Sequence, residues 1–154
     1  MRPTREQRQS YTSVYFVTTQ THNRTPFFRH ERWAKLMQAT LDHYDSHGYT
    51  LHAWVIMPDH LHLLITPLES LEKAVQLFKG GFSYRAKREL GWNGAVWQPG
   101  FTDHRIRDDD DWQKHADYIR QNPLRARLAE DGVPYPHNGY VFSGFERNIE
   151  KARS

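Results

Sequence analysis

Four segments of the chain combine β-branched and aromatic residues with an alternating or continuous apolar pattern, which is typical of β-strands. They cover residues 13–19, 50–57, 60–66 and 101–107. Only Pro58 and Asp59 separate the second segment from the third. Because so short a connection cannot cross over a sheet, these two segments are predicted to pair as an antiparallel hairpin.

Between the strands, apolar residues recur at the spacing of amphipathic helices. One series covers 33–44 at intervals of three and four residues, and Gly48 follows at a position suited to ending a helix. A second helix begins at Ser70 as its cap and covers 70–78. It extends over 70–89 if it continues past the two glycines in its middle, which would weaken or bend it.

A run of four aspartates begins the third predicted helix, which covers 108–121. Acidic residues there complement the positive end of the helix dipole. Pro123 either stops this helix or opens a further helical turn at 124–130.

The order strand, helix, strand, strand, helix, strand, helix predicts an α+β fold. We expect a ferredoxin-like antiparallel sheet with helices on one face, to which the third helix is added. The whole chain, 1–154, is predicted to be one domain with a basic arm at 1–10 and an irregular tail at 132–154.

Composition narrows the class of protein. Apolar residues make up only 38% of the 154 residues, but an aromatic content of 14% supplies large side chains for a core. The chain has no cysteine, which excludes a disulfide framework and a thiolate metal site. It has neither an apolar run long enough to cross a membrane nor the apolar centre of a signal peptide. A cytoplasmic protein without a membrane partner is therefore expected.

Positive charge is concentrated in 79–88, which carries four cations and no acid, while the net charge of the chain is +3. Cations mixed with rings suit a nucleic-acid backbone and stacked bases, although an ordinary solvated helix face has the same pattern. Arg5 and Arg8 extend the basic character into the N-terminal arm. The candidate DNA-binding residues are Arg5, Arg8, Lys79, Phe82, Tyr84, Arg85, Lys87 and Arg88.

Two histidines, His60 and His62, begin the third predicted strand. Because successive strand side chains point to opposite faces, these two share one face and can grip a single metal ion. The alternative is a pair of polar residues on a half-solvated strand.

A second group of polar residues lies on the third predicted helix. Tyr118 and Asn122 are four residues apart and so stack on one helix face, with His115 one turn earlier. This face could simply meet solvent. Asn122 could also cap a new helical turn that has Pro123 in its first position.

Together these motifs resemble the REP-associated tyrosine transposases, which are members of the single-tyrosine HUH transposase superfamily. The resemblance rests mainly on Met57-Pro-Asp-His-Leu-His62 and Tyr118-Ile-Arg-Gln-Asn-Pro123, which form a strong signature as a pair. It also includes Tyr15-Phe-Val-Thr18, Leu77-Phe-Lys79, Trp97-Gln-Pro-Gly-Phe101 and His104-Arg-Ile-Arg-Asp108.

The resemblance implies a role for each site residue. His60 and His62 would bind the metal with Asn122 as third ligand, and Tyr118 would be the nucleophile. Ligation by nitrogen and oxygen without sulfur suits Mg²⁺ or Mn²⁺. The proton acceptor stays open between His104, His115 and a hydroxide at the metal.

The implied reaction is cleavage and strand transfer on single-stranded DNA beside a hairpin of the repetitive extragenic palindrome type. It would pass through a covalent 5′-phosphotyrosine. Two alternatives remain: a protein of the same fold that binds hairpin nucleic acid without cutting, and a metallohydrolase that uses water. A monomer is favoured over a dimer.

Overall fold

The computed structural model of the protein describes residues 13–125 and 137–140. Its strands are β1 (Tyr15–Gln20), β2 (Tyr49–Met57), β3 (His60–Pro67), β4 (Thr102–Arg105) and β5 (Asn138–Tyr140). Its α-helices are α1 (Glu31–Tyr44), α2 (Leu71–Leu90) and α3 (Asp109–Arg125). Two short 3₁₀ turns, His22–Arg24 and Phe27–Arg29, connect β1 to α1.

The strands form one antiparallel sheet in the order β4-β1-β3-β2-β5. Its first four positions have the order of a ferredoxin-like sheet, and β2 and β3 form the predicted hairpin, so the predicted fold class is confirmed. The fifth strand lies inside the predicted irregular tail, so that prediction is wrong for Asn138–Tyr140. This strand is three residues long and includes a glycine, which is too short for an alternating pattern to be recognised.

The two faces of the sheet are covered by different helices. Val17, Leu61 and Leu63 pack with α1 and α2 in the larger core. Phe16 and Leu64, which point the other way, pack with α3 in a smaller core. Helices therefore lie on both faces, and within the part of the chain that the structure describes α3 is the helix on the face opposite α1 and α2.

Helix α2 is continuous through its two glycines and ends at Gly91, which has a left-handed φ of 68°. Its N-terminus is capped as predicted, because Ser70 Oγ accepts from the Lys73 amide (3.1 Å). A Cβ atom on Gly81 would lie 2.6 Å from the Tyr44 hydroxyl, so glycine permits the close approach of α1 and α2 here.

Helix α3 neither stops at Pro123 nor restarts there, because it runs without a break to Arg125. Asn122 is therefore inside a helix and does not cap a new one. The arm at 1–10 with Arg5 and Arg8, residues 126–130 of the predicted further turn, and 132–136 and 141–154 of the tail lie outside the described residues. Among the described residues, no helix has both the length and the apolar character needed to span a membrane.

Candidate active site

The histidine pair lies at the start of β3, the central strand of the sheet. His60 is opposite Gln20 of β1, and His62 is opposite Thr18. The centroids of the two imidazole rings are 4.8 Å apart. His62 also stacks on Phe16 of the smaller core, at 5.4 Å between centroids. The pair therefore faces α3, which carries the predicted nucleophile.

Each histidine of the pair is oriented through its Nδ1 atom. His60 Nδ1 lies 2.7 Å from Asp59 Oδ1, and His62 Nδ1 lies 2.8 Å from Thr18 Oγ1. A hydrogen bond at one ring nitrogen fixes the tautomer and leaves the other nitrogen to bind a ligand. In both residues this other nitrogen is Nε2.

Asp59 supports His60 as an ionised carboxylate. Burial by itself would raise the pKa of Asp59, but the hydrogen bonds from His60 and Arg24 outweigh it and lower the pKa. Arg24 Nε donates to Asp59 Oδ2 at 3.0 Å. A charged carboxylate is a strong acceptor for an imidazole N–H, so this arrangement favours the His60 tautomer whose Nε2 carries the lone pair.

His62 stays neutral well below neutral pH. Burial, and then the charge of the neighbouring His60, lower the pKa of His62 to about 3. Its side chain has little contact with solvent, at 6% exposure. A neutral imidazole has a lone pair for a metal ion, which a protonated ring lacks.

Tyr118 meets this pair from α3. Its ring lies edge-on to the His62 ring, with 5.2 Å between centroids and 76° between planes. It also lies 5.9 Å from the Phe16 ring. At 37% exposure Tyr118 remains accessible to a substrate. The fold therefore brings together a histidine and a tyrosine that are far apart in sequence.

Asn122 follows one helical turn after Tyr118 and is buried, with 8% exposure. It lies three residues after Ile119, which is buried in the smaller core, so the two residues share one side of α3. Its role as a third ligand remains a prediction.

The two candidate proton acceptors form a separate cluster with Asp111. Asp111 Oδ2 lies 2.8 Å from His104 Nε2, and its Oδ1 lies 3.1 Å from His115 Nδ1. The three residues offer ligand atoms within 4.8 Å of one another, so this cluster could hold a metal ion. His115 also packs against Phe16, at 4.8 Å between centroids.

The sequence predicts only a capping role for the aspartate run, and the contacts of Asp111 with His104 and His115 are seen only in the structure. The cap of α3 is Asp108, whose Oδ1 accepts from the Asp111 amide at 2.8 Å, while Asp111 Oδ2 accepts from the Arg107 amide before the helix at 3.0 Å. Burial alone would raise the pKa of Asp111, but the hydrogen bonds from His104 and Arg107 lower it below its ordinary value. No spacing rule links His104 to this helix, because the contact depends on how β4 pairs with β1.

The predicted DNA-binding residues on α2 fall into two groups. Phe82 has no exposed surface and lies in the larger core, so its ring cannot stack on a base, and that prediction is wrong. Lys79 Nζ donates to the carbonyl oxygens of Gln98 (3.0 Å) and Gly100 (2.9 Å), and burial lowers the pKa of Lys79. The lysine therefore holds the loop before β4.

The second group lies on the solvent-exposed side of α2 and consists of Tyr84, Arg85, Lys87 and Arg88. Tyr84 is 60% exposed, and Arg88 Nη1 donates to its hydroxyl at 2.9 Å. Lys87 is exposed and Arg85 is half-buried. These residues are accessible to a partner.

A ferredoxin-like sheet that places a histidine pair of its central strand against a helical tyrosine defines the class of single-tyrosine HUH transposases. Residues 9–122 match the family described as "Transposase IS200 like", and the chain belongs to that family.

Two similar proteins are informative. The REP-associated tyrosine transposase of Escherichia coli (strain K12) is 26% identical over 140 residues, which cover 90% of this chain and 79% of that protein. The fold is similar to that of a REP-associated tyrosine transposase solved with a REP hairpin, with a TM-score of 0.62 and 20% identity. That match covers 86% of this chain and 94% of the solved one, and it is a likeness of fold.

Proposed function

We propose that this protein cleaves single-stranded DNA beside a hairpin and transfers the strand, with Tyr118 as the nucleophile. The observation that carries the proposal is the contact between the Tyr118 and His62 rings, 5.2 Å apart. Membership of a transposase family supports the reaction class. The hairpin bound by the solved relative supports the choice of substrate.

The reaction is a transesterification in which the number of phosphoester bonds does not change. The Tyr118 oxygen forms a bond to phosphorus and loses its proton, while the bond from phosphorus to the 3′-oxygen breaks. The 3′-oxygen takes up a proton and leaves as a hydroxyl. The resulting 5′-phosphotyrosine retains the ester bond, so the same site can join the DNA to another 3′-hydroxyl without ATP.

The histidine pair fits a divalent cation. Both Nδ1 atoms are engaged, by Asp59 and by Thr18, which directs the two Nε2 atoms to the role of ligands. We propose Asn122 as the oxygen ligand and Mg²⁺ or Mn²⁺ as the ion, because its amide oxygen together with phosphate and water oxygens at the open positions would make the coordination shell mostly oxygen, which these hard ions prefer. Such an ion supplies charge stabilisation for the non-bridging phosphate oxygens during attack.

Part of the DNA outside the cleaved bond is proposed to contact the exposed side of α2, which lies on the sheet face opposite the histidine pair. Arginine and lysine side chains there neutralise phosphates, and the exposed Tyr84 ring offers a stacking surface. Arg5 and Arg8 of the N-terminal arm are further candidates. The contributing residues on the helix are Tyr84, Arg85, Lys87 and Arg88.

The test is a search for a covalent adduct. The protein is incubated with a hairpin oligonucleotide that carries a single-stranded flank, with Mn²⁺ or Mg²⁺, and the products are separated on a denaturing gel. The wild-type protein should give a protein–DNA band, and Tyr118→Phe should give none while still binding the hairpin. Tyr44→Phe, which removes a hydroxyl between α1 and α2, is the matched control and should keep the band.

Two results would contradict the proposal. Tight binding of palindromic hairpins without an adduct under either metal would identify a protein that binds and does not cut. Cut DNA without an adduct, unaffected by Tyr118→Phe, would identify hydrolysis by water.

A further inference from the structure

We propose that His104, Asp111 and His115 form a second cation site, distinct from the His60–His62 pair, which binds a transition metal such as Zn²⁺. We call these three residues the His–Asp–His cluster. The proposal does not rest on the proposed DNA reaction, because it follows from the geometry and chemistry of the cluster alone.

The cluster is assembled from two elements. Asp111 and His115 are four residues apart on α3, so they project from one face of the helix. His104 comes from β4, where it lies opposite Phe16 of β1. The imidazole rings of His104 and His115 stack, with 4.7 Å between centroids and 18° between planes. Both rings thus converge on one carboxylate, each on a different oxygen.

The distances fit a chelate. In a zinc site with bonds of about 2.0–2.1 Å, neighbouring ligand atoms lie roughly 3 Å apart. The nitrogen–oxygen separations in the cluster are 2.8 Å and 3.1 Å. All the ligand atoms lie within 4.8 Å of one another, so rotation of the side chains can bring them to these separations. His115 Nδ1, which also lies 2.8 Å from the Asp111 backbone carbonyl oxygen, would exchange that contact for the ion.

The donor set selects the kind of ion. Two imidazoles and one carboxylate are typical ligands of Zn²⁺ and other late divalent metals, whereas Mg²⁺ prefers oxygen. The side chains of Asp111 and His115 are each 16% exposed, and that of His104 is 38% exposed. The ion can therefore enter past His104 and bind at a partly desolvated carboxylate.

An ion at the cluster would connect β4 to the first turns of α3. His115 packs against Phe16, and Phe16 packs against Tyr118, which lies one turn further along the helix. Metal binding should therefore stabilise the segment that carries the tyrosine.

The test uses the full chain without a histidine tag, with His60→Ala and His62→Ala introduced together to remove the first pair. Titration with ZnCl₂ is followed by calorimetry, and titration with CoCl₂ by visible absorption, which reports bound Co²⁺. The double variant should bind one ion per chain, with a higher melting temperature in Zn²⁺. Adding His104→Gln should weaken binding by at least about tenfold.

Two further variants separate the cluster from other histidines. Asp111→Asn keeps an oxygen acceptor at the start of α3 and should also weaken binding. His47→Gln changes an exposed histidine distant in sequence from the cluster and should leave the affinity unchanged. The proposal is overturned if the double variant binds no Zn²⁺, or binds it equally well after His104→Gln and after Asp111→Asn. Failure of the wild-type protein to form the covalent DNA adduct would contradict the proposed function, but it would not change the zinc affinities measured here.

Discussion

Thr18 and His62 lie opposite each other on β1 and β3, and the Thr18 hydroxyl is 2.8 Å from His62 Nδ1. The hydroxyl thus occupies the nitrogen of the imidazole that faces away from the proposed ligand position. A side chain of the first strand therefore orients the imidazole of His62, the proposed metal ligand on the third.

Replacing this hydroxyl should weaken metal binding while the fold is retained. Thr18→Val keeps the branched shape but removes the hydrogen bond, so we expect a 10- to 100-fold loss, on the order reported for partners that orient ligands. The measurement is the Mn²⁺ concentration needed for half-maximal adduct formation. Thr66→Val is the matched control, because Thr66 Oγ1 makes the equivalent contact to His52 Nε2 at 2.7 Å. Equal effects of both substitutions would argue against a specific role for Thr18.

The stability of the fold should fall in mild acid because of His52. Burial lowers the pKa of His52 from 6.5 to about 4. Below pH 6.5 the unfolded chain takes up a proton that the folded chain does not bind, so the free energy of unfolding decreases until the pH reaches about 4. The total loss from this group is about 3 kcal/mol, at 1.36 kcal/mol for each unit of pKa difference.

Urea unfolding at pH 7 and at pH 5 measures this effect. The decrease in the free energy of unfolding from pH 7 to pH 5 should be smaller for His52→Gln than for the wild-type protein. Part of the difference should persist, because the pKa of His62 is lowered in the same direction. An unchanged difference in His52→Gln would show that His52 does not contribute.

The adjacent glycines of α2 should respond in opposite ways to alanine. Nothing lies within 4 Å of a Cβ on Gly80, so Gly80→Ala should raise the free energy of unfolding by about 0.5–1 kcal/mol through helix propensity. A Cβ on Gly81 would meet the Tyr44 ring and hydroxyl, so Gly81→Ala should be at least ~1 kcal/mol less stable than Gly80→Ala. Chemical unfolding of the two variants side by side decides the matter, and equal stabilities would contradict the close approach.

Two lysines of α2 should separate stability from DNA binding. Lys79→Met removes the hydrogen bonds from the ammonium to the carbonyl groups of Gln98 and Gly100, so it should cost about 0.5–1.5 kcal/mol of stability. Lys87→Ala, at an exposed position, should leave stability nearly unchanged. It should weaken hairpin binding and reduce the slope of log affinity against log salt by about one. If Lys79→Met weakened hairpin binding and Lys87→Ala did not, the DNA would lie on the side of α2 that carries Lys79.

Much of this architecture could be predicted from local patterns. The histidine pair, the spacing of Tyr118 and Asn122 and the hairpin between β2 and β3 all follow from strand and helix periods. Phe82 could also have been assigned to the core, because it lies four residues from both Phe78 and Ala86, which are buried on the same helix face.

The remaining features depend on contacts between distant segments. Asp111 meets His104 only because β4 pairs with β1, and Lys79 reaches Gly100 only because the loop before β4 passes over α2. β5 is three residues long and pairs with the open edge of β2. No period within the sequence encodes contacts of this kind.

The position of β3 determines which part of the candidate site is held by backbone hydrogen bonds. Hydrogen bonds to β1 on one side and β2 on the other hold the spacing of the two imidazoles fixed. Tyr118 lies on a helix that meets the sheet through side chains, by packing and by the contact between Asp111 and His104. In the proposed reaction, we therefore expect adjustment between one DNA end and the next to occur at the phenol and its helix, while the imidazoles keep a constant position for each incoming phosphate.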